Sequence, residues 1–76
     1  MEETLKVIIT GLVDKKEDVE ITRQDDERGT LLKVKVNPDD LGKVIGKQGR
    51  IAKAIRTVMK SIGSEEKKKV GIIFEE

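Results

Sequence analysis

The sequence predicts an α+β fold in the order helix, strand, strand, helix, helix, strand. Three observations carry that prediction. Apolar residues recur at helical spacing from Leu5 to Val13 and again from Ile51 to Ile62. Apolar residues fall at every second position through Val19 and Ile21, through Leu32, Val34 and Val36, and through Val70, Ile72 and Phe74. A chain of 76 residues has room for one core, so these segments belong to one domain spanning 1–76. A domain this small buries only about 60% of the surface its unfolded chain exposes. A deep enclosed site is therefore not expected, and function belongs to an edge, a groove or a loop.

The first helix rests on Leu5, Ile8, Ile9, Leu12 and Val13, which share one face, with Glu2 and Glu3 at the positive end of the dipole. Val19 and Ile21 then alternate with charged residues, and "TLLKVKV" alternates through Leu32, Val34 and Val36. With the polar segment "QDDERG" between them, these two strands read as a β-hairpin whose loop holds Gly29. In "NPDDLGKVIG", Asn37 caps a short helix, Pro38 takes its first position, and Asp39 and Asp40 complement its dipole. Leu41, Val44 and Ile45 form its apolar stripe. In the next helix Ile51, Ile55, Val58, Met59 and Ile62 lie on one face and Arg50, Lys53, Arg56 and Lys60 on the other, with Gly63 as a C-terminal stop. Val70, Ile72 and Phe74 make the closing strand.

Composition removes most chemistry. The chain has no cysteine and no histidine, which excludes disulfides, thiolate metal sites, thiol catalysis and the commonest general base. Asp25/Asp26 and Asp39/Asp40 read as a turn and a helix start, so no metal, no cofactor and no small-molecule substrate are expected. The segment "LKVIITGLV" is interrupted by Lys6 and is too short to span a bilayer, and acids precede it where a signal peptide carries positive charge. A soluble, cytoplasmic protein without membrane association is the expectation. Net charge is only +1, but from Lys43 to Lys69 nine Lys/Arg face two acids, a local +7 against −6 for the rest. Local charge decides what a surface attracts.

In the middle of that basic segment stands "VIGKQGRI", with Gly46 and Gly49 three residues apart. Glycine inside a helix costs roughly 1 kcal/mol relative to alanine, so the pair marks a tight corner between two helices. A helix starting at Gly49 and Arg50 presents backbone N–H groups and the positive end of a dipole, and Lys47 and Arg50 add charge. That chemistry holds phosphates and does not break them. The Walker A pattern fails because "GKVIGKQ" has three residues between its glycines and Gln48 where Ser or Thr belongs. The dinucleotide fingerprint fails for want of a glycine two residues before Gly46.

The run "VNPDDLGKVIGKQGRIAKAIR" resembles the signature of a KH domain, an isoleucine followed by Gly-x-x-Gly between two helices. The element order resembles the type II form, αββααβ, with a three-stranded mixed sheet backed by three helices. Length and the near absence of appended sequence further resemble the small bacterial KhpA family. The resemblance implies a groove for about four single-stranded nucleotides. Gly46, Lys47, Gln48 and Gly49 would clamp the RNA backbone, with Arg50, Lys43 and Lys53 adding charge. Leu41, Val44, Ile45, Ile51 and Ala52 would supply the floor. The opposite wall would be "GSEEKKK" with the strand "TLLKVKV", which brings Lys68 and its neighbours within reach of phosphates. Without Trp or Tyr, the stacking platforms of RRM proteins are excluded.

The implied function is non-catalytic single-stranded RNA binding, as an RNA chaperone or post-transcriptional regulator. The family also implies a dimer, either a homodimer or a heterodimer with a KhpB/Jag-like KH protein. The alternative is a protein-interaction module in which this surface mainly scaffolds a partner; Val7 and Ile73, on faces not needed for the core, are its mild sequence support.

Overall fold

The computed structural model describes residues 2–75. The order is α1 (Glu2–Thr10), β1 (Glu20–Asp26), β2 (Gly29–Lys35), α2 (Leu41–Ile45), α3 (Arg50–Glu65) and β3 (Val70–Glu75), as the sequence pattern predicts. Short 3-10 turns occupy Lys16–Asp18, Pro38–Asp40 and Lys47–Gly49. β1 and β2 pair antiparallel, β2 and β3 pair parallel, and the sheet order is β1-β2-β3. Parallel neighbours need a crossover, and α2 with α3 supplies it.

The helices cover one face of the sheet. Leu5 and Ile9 of α1, Leu32 and Val34 of β2, Val44 of α2, Ile55 and Met59 of α3, and Val70 and Ile72 of β3 make the core. These are the residues that periodicity assigned to inward faces. On the open face the register sets Glu20 opposite Lys35 and Thr22 opposite Lys33, polar pairs suited to water.

Three boundaries differ from the sequence reading. The α1 helix ends at Thr10, and Val13 enters the core from the following turn, held by its N–H donating to the Ile9 carbonyl at 3.2 Å. The hairpin loop shrinks to Glu27 and Arg28, because Gln24, Asp25 and Asp26 continue the ladder opposite Leu31, Thr30 and Gly29. Polar residues are at home in a strand with one solvated edge, and the Thr30 hydroxyl donates to Asp25 at 2.6 Å. Gly63 does not stop α3. It is buried inside the helix, where a Cβ would run into Val70 Cγ2 and approach the Lys68 carbonyl to 2.8 Å.

The helix stops at a Schellman motif two residues later. The N–H of Lys68 donates to the Gly63 carbonyl at 2.7 Å and that of Lys67 to the Ser64 carbonyl at 3.0 Å. Lys67 takes the left-handed position, φ 60°, that glycine usually fills. Ahead of α2, Asn37 accepts the Asp39 N–H at 2.9 Å and caps the Pro38–Asp40 3-10 turn, whereas α2 itself starts only at Leu41 with Asp40 as its N-cap. Asp40 is buried and accepts the Lys15 N–H at 2.9 Å, fixing α2 to the segment after α1. That backbone donor, with a second at Asp14 and the Lys43 ammonium, holds the Asp40 carboxyl below the usual carboxylate range against the cost of burial.

Candidate nucleic-acid interface

The corner between α2 and α3 is built by three unusual backbones within four residues. Gly46 has φ 75° and ψ 175°, a region essentially reserved for glycine. Gln48, at φ 56° and ψ 25°, and Gly49, at φ 72° and ψ 16°, are both left-handed. The Gly46 N–H donates to the Gly42 carbonyl at 2.9 Å and the Gly49 N–H to the Gly46 carbonyl at 3.2 Å, closing α2 and then the loop. α3 starts at Arg50 with no side-chain cap.

The two glycines do different work. A Cβ on Gly46 would lie 2.6–2.9 Å from three side-chain atoms of Ile51, so Gly46 lets α3 pack back on α2. At Gly49 nothing among the described residues lies within 4 Å of where a Cβ would stand. Gly49 leaves the outer side of the corner bare, and so does Gly42, which the sequence reading passed over and whose Cβ position is equally open. The available signal was a glycine inside a short helical pattern, one position before Lys43.

Lys47, Gln48 and Arg50 are exposed around this corner, and Lys53 is exposed one turn further along α3. Among the described residues Lys47, Arg50 and Lys53 enter no ion pair; the pairs formed use Lys15, Arg23 and Lys43. Leu41 and Ile45 are half-buried against the core, as a groove floor requires, with Ile51 beside them. Lys43 is not part of the free cation set. Its ammonium pairs with Asp14 and lies 3.4 Å from Asp40, and both raise its pKa.

The opposite wall is not where the sequence reading put it. β2 is the central strand, so β1 and β3 occupy both its edges and "TLLKVKV" has no edge to offer. The hairpin takes one edge and the crossover the other, a consequence of connectivity that local alternation does not reveal. The wall is β3. α2 packs on α3 and β3 while α1 packs on β1 and α3, so the glycine corner lies toward β3. Thr30 and Val36 donate to the carbonyls of Lys69 and Glu75, at 2.8 and 3.1 Å, which assigns alternate residues of β3 to the ladder. The N–H and C=O groups of Val70, Ile72 and Phe74 therefore point to the free edge. Arg56 lies over the Phe74 ring, 5.5 Å from its centre, and joins α3 to that edge.

"GSEEKKK" is also displaced from the corner. Lys68 follows the far end of α3, a 16-residue helix roughly 24 Å long. It lies on a separate open cleft beside the β1–β2 turn. The four carboxylates considered for metal binding are engaged elsewhere. Asp26 accepts the N–H groups of Arg28 and Gly29, Asp25 takes Arg23 and Thr30, Asp39 pairs with Lys15, and Asp40 is the buried anchor. Among the described residues no group of three or more such ligands converges, and no helix is long and apolar enough to cross a membrane.

A βααβ unit with a Gly-x-x-Gly corner, extended at its N-terminus by a helix and one strand into a mixed sheet, defines a type II KH domain. The family model for the KhpA/KhpB KH domain matches residues 2–74. The chain belongs to that family. It is 54% identical over 70 residues to the RNA-binding protein KhpA of Clostridium perfringens, covering 92% of this chain and 93% of that one. With the protein of the same name from Streptomyces coelicolor it shares 49% identity over 63 residues, 83% of this chain and 80% of that one. For that of Listeria monocytogenes the identity is 49% over 70 residues, 92% of each chain. No solved structure gives a significant match.

Proposed function

We propose that the chain binds single-stranded RNA, without chemistry, in the groove between the glycine corner and the free edge of β3. One observation carries this reading: Lys47 and Arg50, exposed and unpaired among the described residues, flank a corner left bare at Gly49, with unused backbone donors and acceptors of β3 on the same side. Phosphates meet the corner, and base edges meet Ile72 and Phe74. Leu41, Ile45 and Ile51 form the floor. Backbone readout with few side chains gives low sequence specificity, as suits an RNA chaperone or post-transcriptional regulator in the cytoplasm. The relatives named as RNA-binding proteins support the same reading.

The test is a titration of unstructured RNA against the wild type and a Lys47→Asp/Gln48→Asp variant at several salt concentrations. Three or four phosphate contacts give a slope of log affinity against log salt of roughly −2 to −3. The variant should bind much more weakly with a shallower slope; undiminished binding by a folded variant refutes the clamp.

A second reading has its own observation. Val7 of α1 and Val58 of α3 are 71% and 46% exposed on the helical side, and Ile73, 42% exposed, stands on the opposite, helix-free face of the sheet. They suit a homodimer, or a heterodimer with a KhpB/Jag-like KH protein, with the domain serving as a scaffold. Sedimentation of the same two proteins separates the readings: a clamp variant that loses RNA and keeps its oligomeric state supports RNA binding, and one that loses the oligomer supports scaffolding.

A further inference from the structure

We infer that the Arg56 guanidinium, held on the Phe74 ring, is a stacking surface for one base of the bound strand, so that the groove prefers a purine at that position. The inference rests on the RNA-binding reading above and adds to it a residue that reads a base. Phe74 is the only aromatic residue of the chain and is half-buried near the end of β3. The Arg56 guanidinium carbon lies 5.5 Å from the centre of its ring, within the range of a cation–π contact. A guanidinium has two flat faces, and bases stack on such planes as they do on aromatic rings. With one face on Phe74 and the residue exposed, the other face is open to a base. Trp and Tyr are absent, so this pair is what the chain has in place of an aromatic platform.

Helix and strand set the pair beside the glycine corner. Gly63, seven residues after Arg56 and so on the same side of α3, packs on Val70 at the start of β3. Arg56 meets Phe74 near the end of the strand. This flank of α3 therefore runs along β3 in the opposite direction, and Phe74 marks the end nearer the corner. Six residues of α3, roughly 9 Å, separate Arg50 from Arg56. At ~3.4 Å per nucleotide, that is about two or three nucleotides from a phosphate seated at the corner, inside a groove for about four.

The ring also separates Arg56 from the cations around it. Lys53 and Lys60, exposed on the same helix, carry point charges on flexible stems and attract phosphate whatever the base. Arg50 has a guanidinium, but among the described residues no ring and no ion pair holds its plane. Arg56 is restrained by Phe74 before the strand arrives, so less side-chain freedom is lost on binding. A purine covers more of the plane than a pyrimidine does, and preferences in single-stranded sites follow stacking strength. A plane reads no base edge, so adenine and guanine should serve equally.

The test is fluorescence anisotropy on a uridine hexanucleotide and on relatives in which one uridine at a time is replaced by adenosine. For wild type, one position should favour adenosine by roughly fivefold, the low end of what one stacked base contributes. Guanosine there should bind as adenosine does; a preference for one purine alone assigns edge readout and overturns the plane. Arg56→Lys keeps the charge and removes the plane, so the salt slope should stay while the purine preference disappears. Phe74→Leu leaves Arg56 in place but unsupported and should reduce the preference, with urea denaturation showing that both variants are folded. Because Arg56 is exposed, the comparison stands on Arg56→Lys even where Phe74→Leu unfolds. Equal binding of every RNA by wild type overturns the inference, as does a preference that survives Arg56→Lys. A uniform loss in Arg56→Lys with a slope shallower by about 0.7 makes Arg56 a phosphate contact and overturns it too. Failure of wild type to bind any of the RNAs instead condemns the RNA reading itself, and this inference with it.

Discussion

Gly46→Ala and Gly49→Ala look equivalent in a Gly-x-x-Gly motif, but the structure assigns them opposite consequences. At Gly46 a side chain enters a backbone region of φ 75° and ψ 175°, with strain of about 1–3 kcal/mol. Its Cβ would also lie 2.6 Å from Ile51 Cγ1 and 2.9 Å from Ile51 Cβ, and that second atom is fixed to α3 and cannot rotate away. Overpacking of this kind adds about 1–3 kcal/mol. Less about 0.4–1 kcal/mol for the stiffer unfolded chain, the net loss is roughly 3 kcal/mol. A domain of this size loses about 4–8 °C in melting temperature per kcal/mol, so Gly46→Ala should melt roughly 12 °C lower or more. Gly49→Ala meets no atom and takes only the left-handed penalty, about 1 kcal/mol net. On the proposed reading its effect should instead fall on RNA affinity, since the added methyl would stand where a phosphate approaches. Urea denaturation of both variants, followed by RNA titration of the folded protein, reads the two effects separately. If Gly46→Ala stays within about 0.5 kcal/mol of wild type, or the two variants lose equal stability, the division of labour is refuted.

Gly63→Ala should destabilise by about 1 kcal/mol or more, because the clash with Val70 and the Lys68 carbonyl outweighs the helix-propensity gain; a thermal melt at or above wild type contradicts this. Lys67→Gly should stabilise by up to about 1 kcal/mol in urea by removing a left-handed lysine. Gly42→Ala, exposed in α2 with open space, should also stabilise by up to about 1 kcal/mol while weakening RNA binding, and unchanged affinity would remove Gly42 from the groove. Asp40 has a folded pKa below its unfolded value of about 3.9, so its stabilisation is complete at neutral pH and is lost as pH falls through the folded pKa. Asp40→Asn should therefore melt lower than wild type at pH 7, with the gap closing in acid; a pH-independent gap would assign the loss to packing alone.

The sequence determined the element order because every inward residue obeys one of two periods. Leu5 and Ile9, Ile55 and Met59, Leu32 and Val34 are legible without any tertiary information. The glycine corner was legible for the same reason, since Gly46 and Gly49 break a strong helical pattern. What was not legible depends on contacts distant in the chain. Gly63 resembles a stop signal until Val70 is seen against it, and "QDDERG" resembles a loop until Thr30 is seen opposite Asp25. Lys43 resembles its basic neighbours, yet Asp14, 29 residues away, takes its charge. The groove wall went to β2 because alternation marks a strand without saying which of its edges remains open.

Net charge misleads for a reason that the fold supplies. The molecule measures 34 × 23 × 17 Å, whereas charges on its surface are screened beyond about 8–10 Å at physiological salt. An RNA strand at the glycine corner therefore interacts with the cations within a turn or two of α3 and hardly with the acids of α1 and β1. The ion pairs sharpen this division, because among the described residues they consume Lys15, Arg23 and Lys43 against neighbouring acids and none of the basic residues from Lys47 to Lys69. Exposed pairs of that kind contribute little stability. Their consequence lies in what they leave uncompensated: a continuous basic side on a chain of net charge +1. Attraction to RNA should accordingly be steeply salt-dependent while unfolding is not, and a protein whose melting temperature tracked its RNA affinity across salt would contradict that separation.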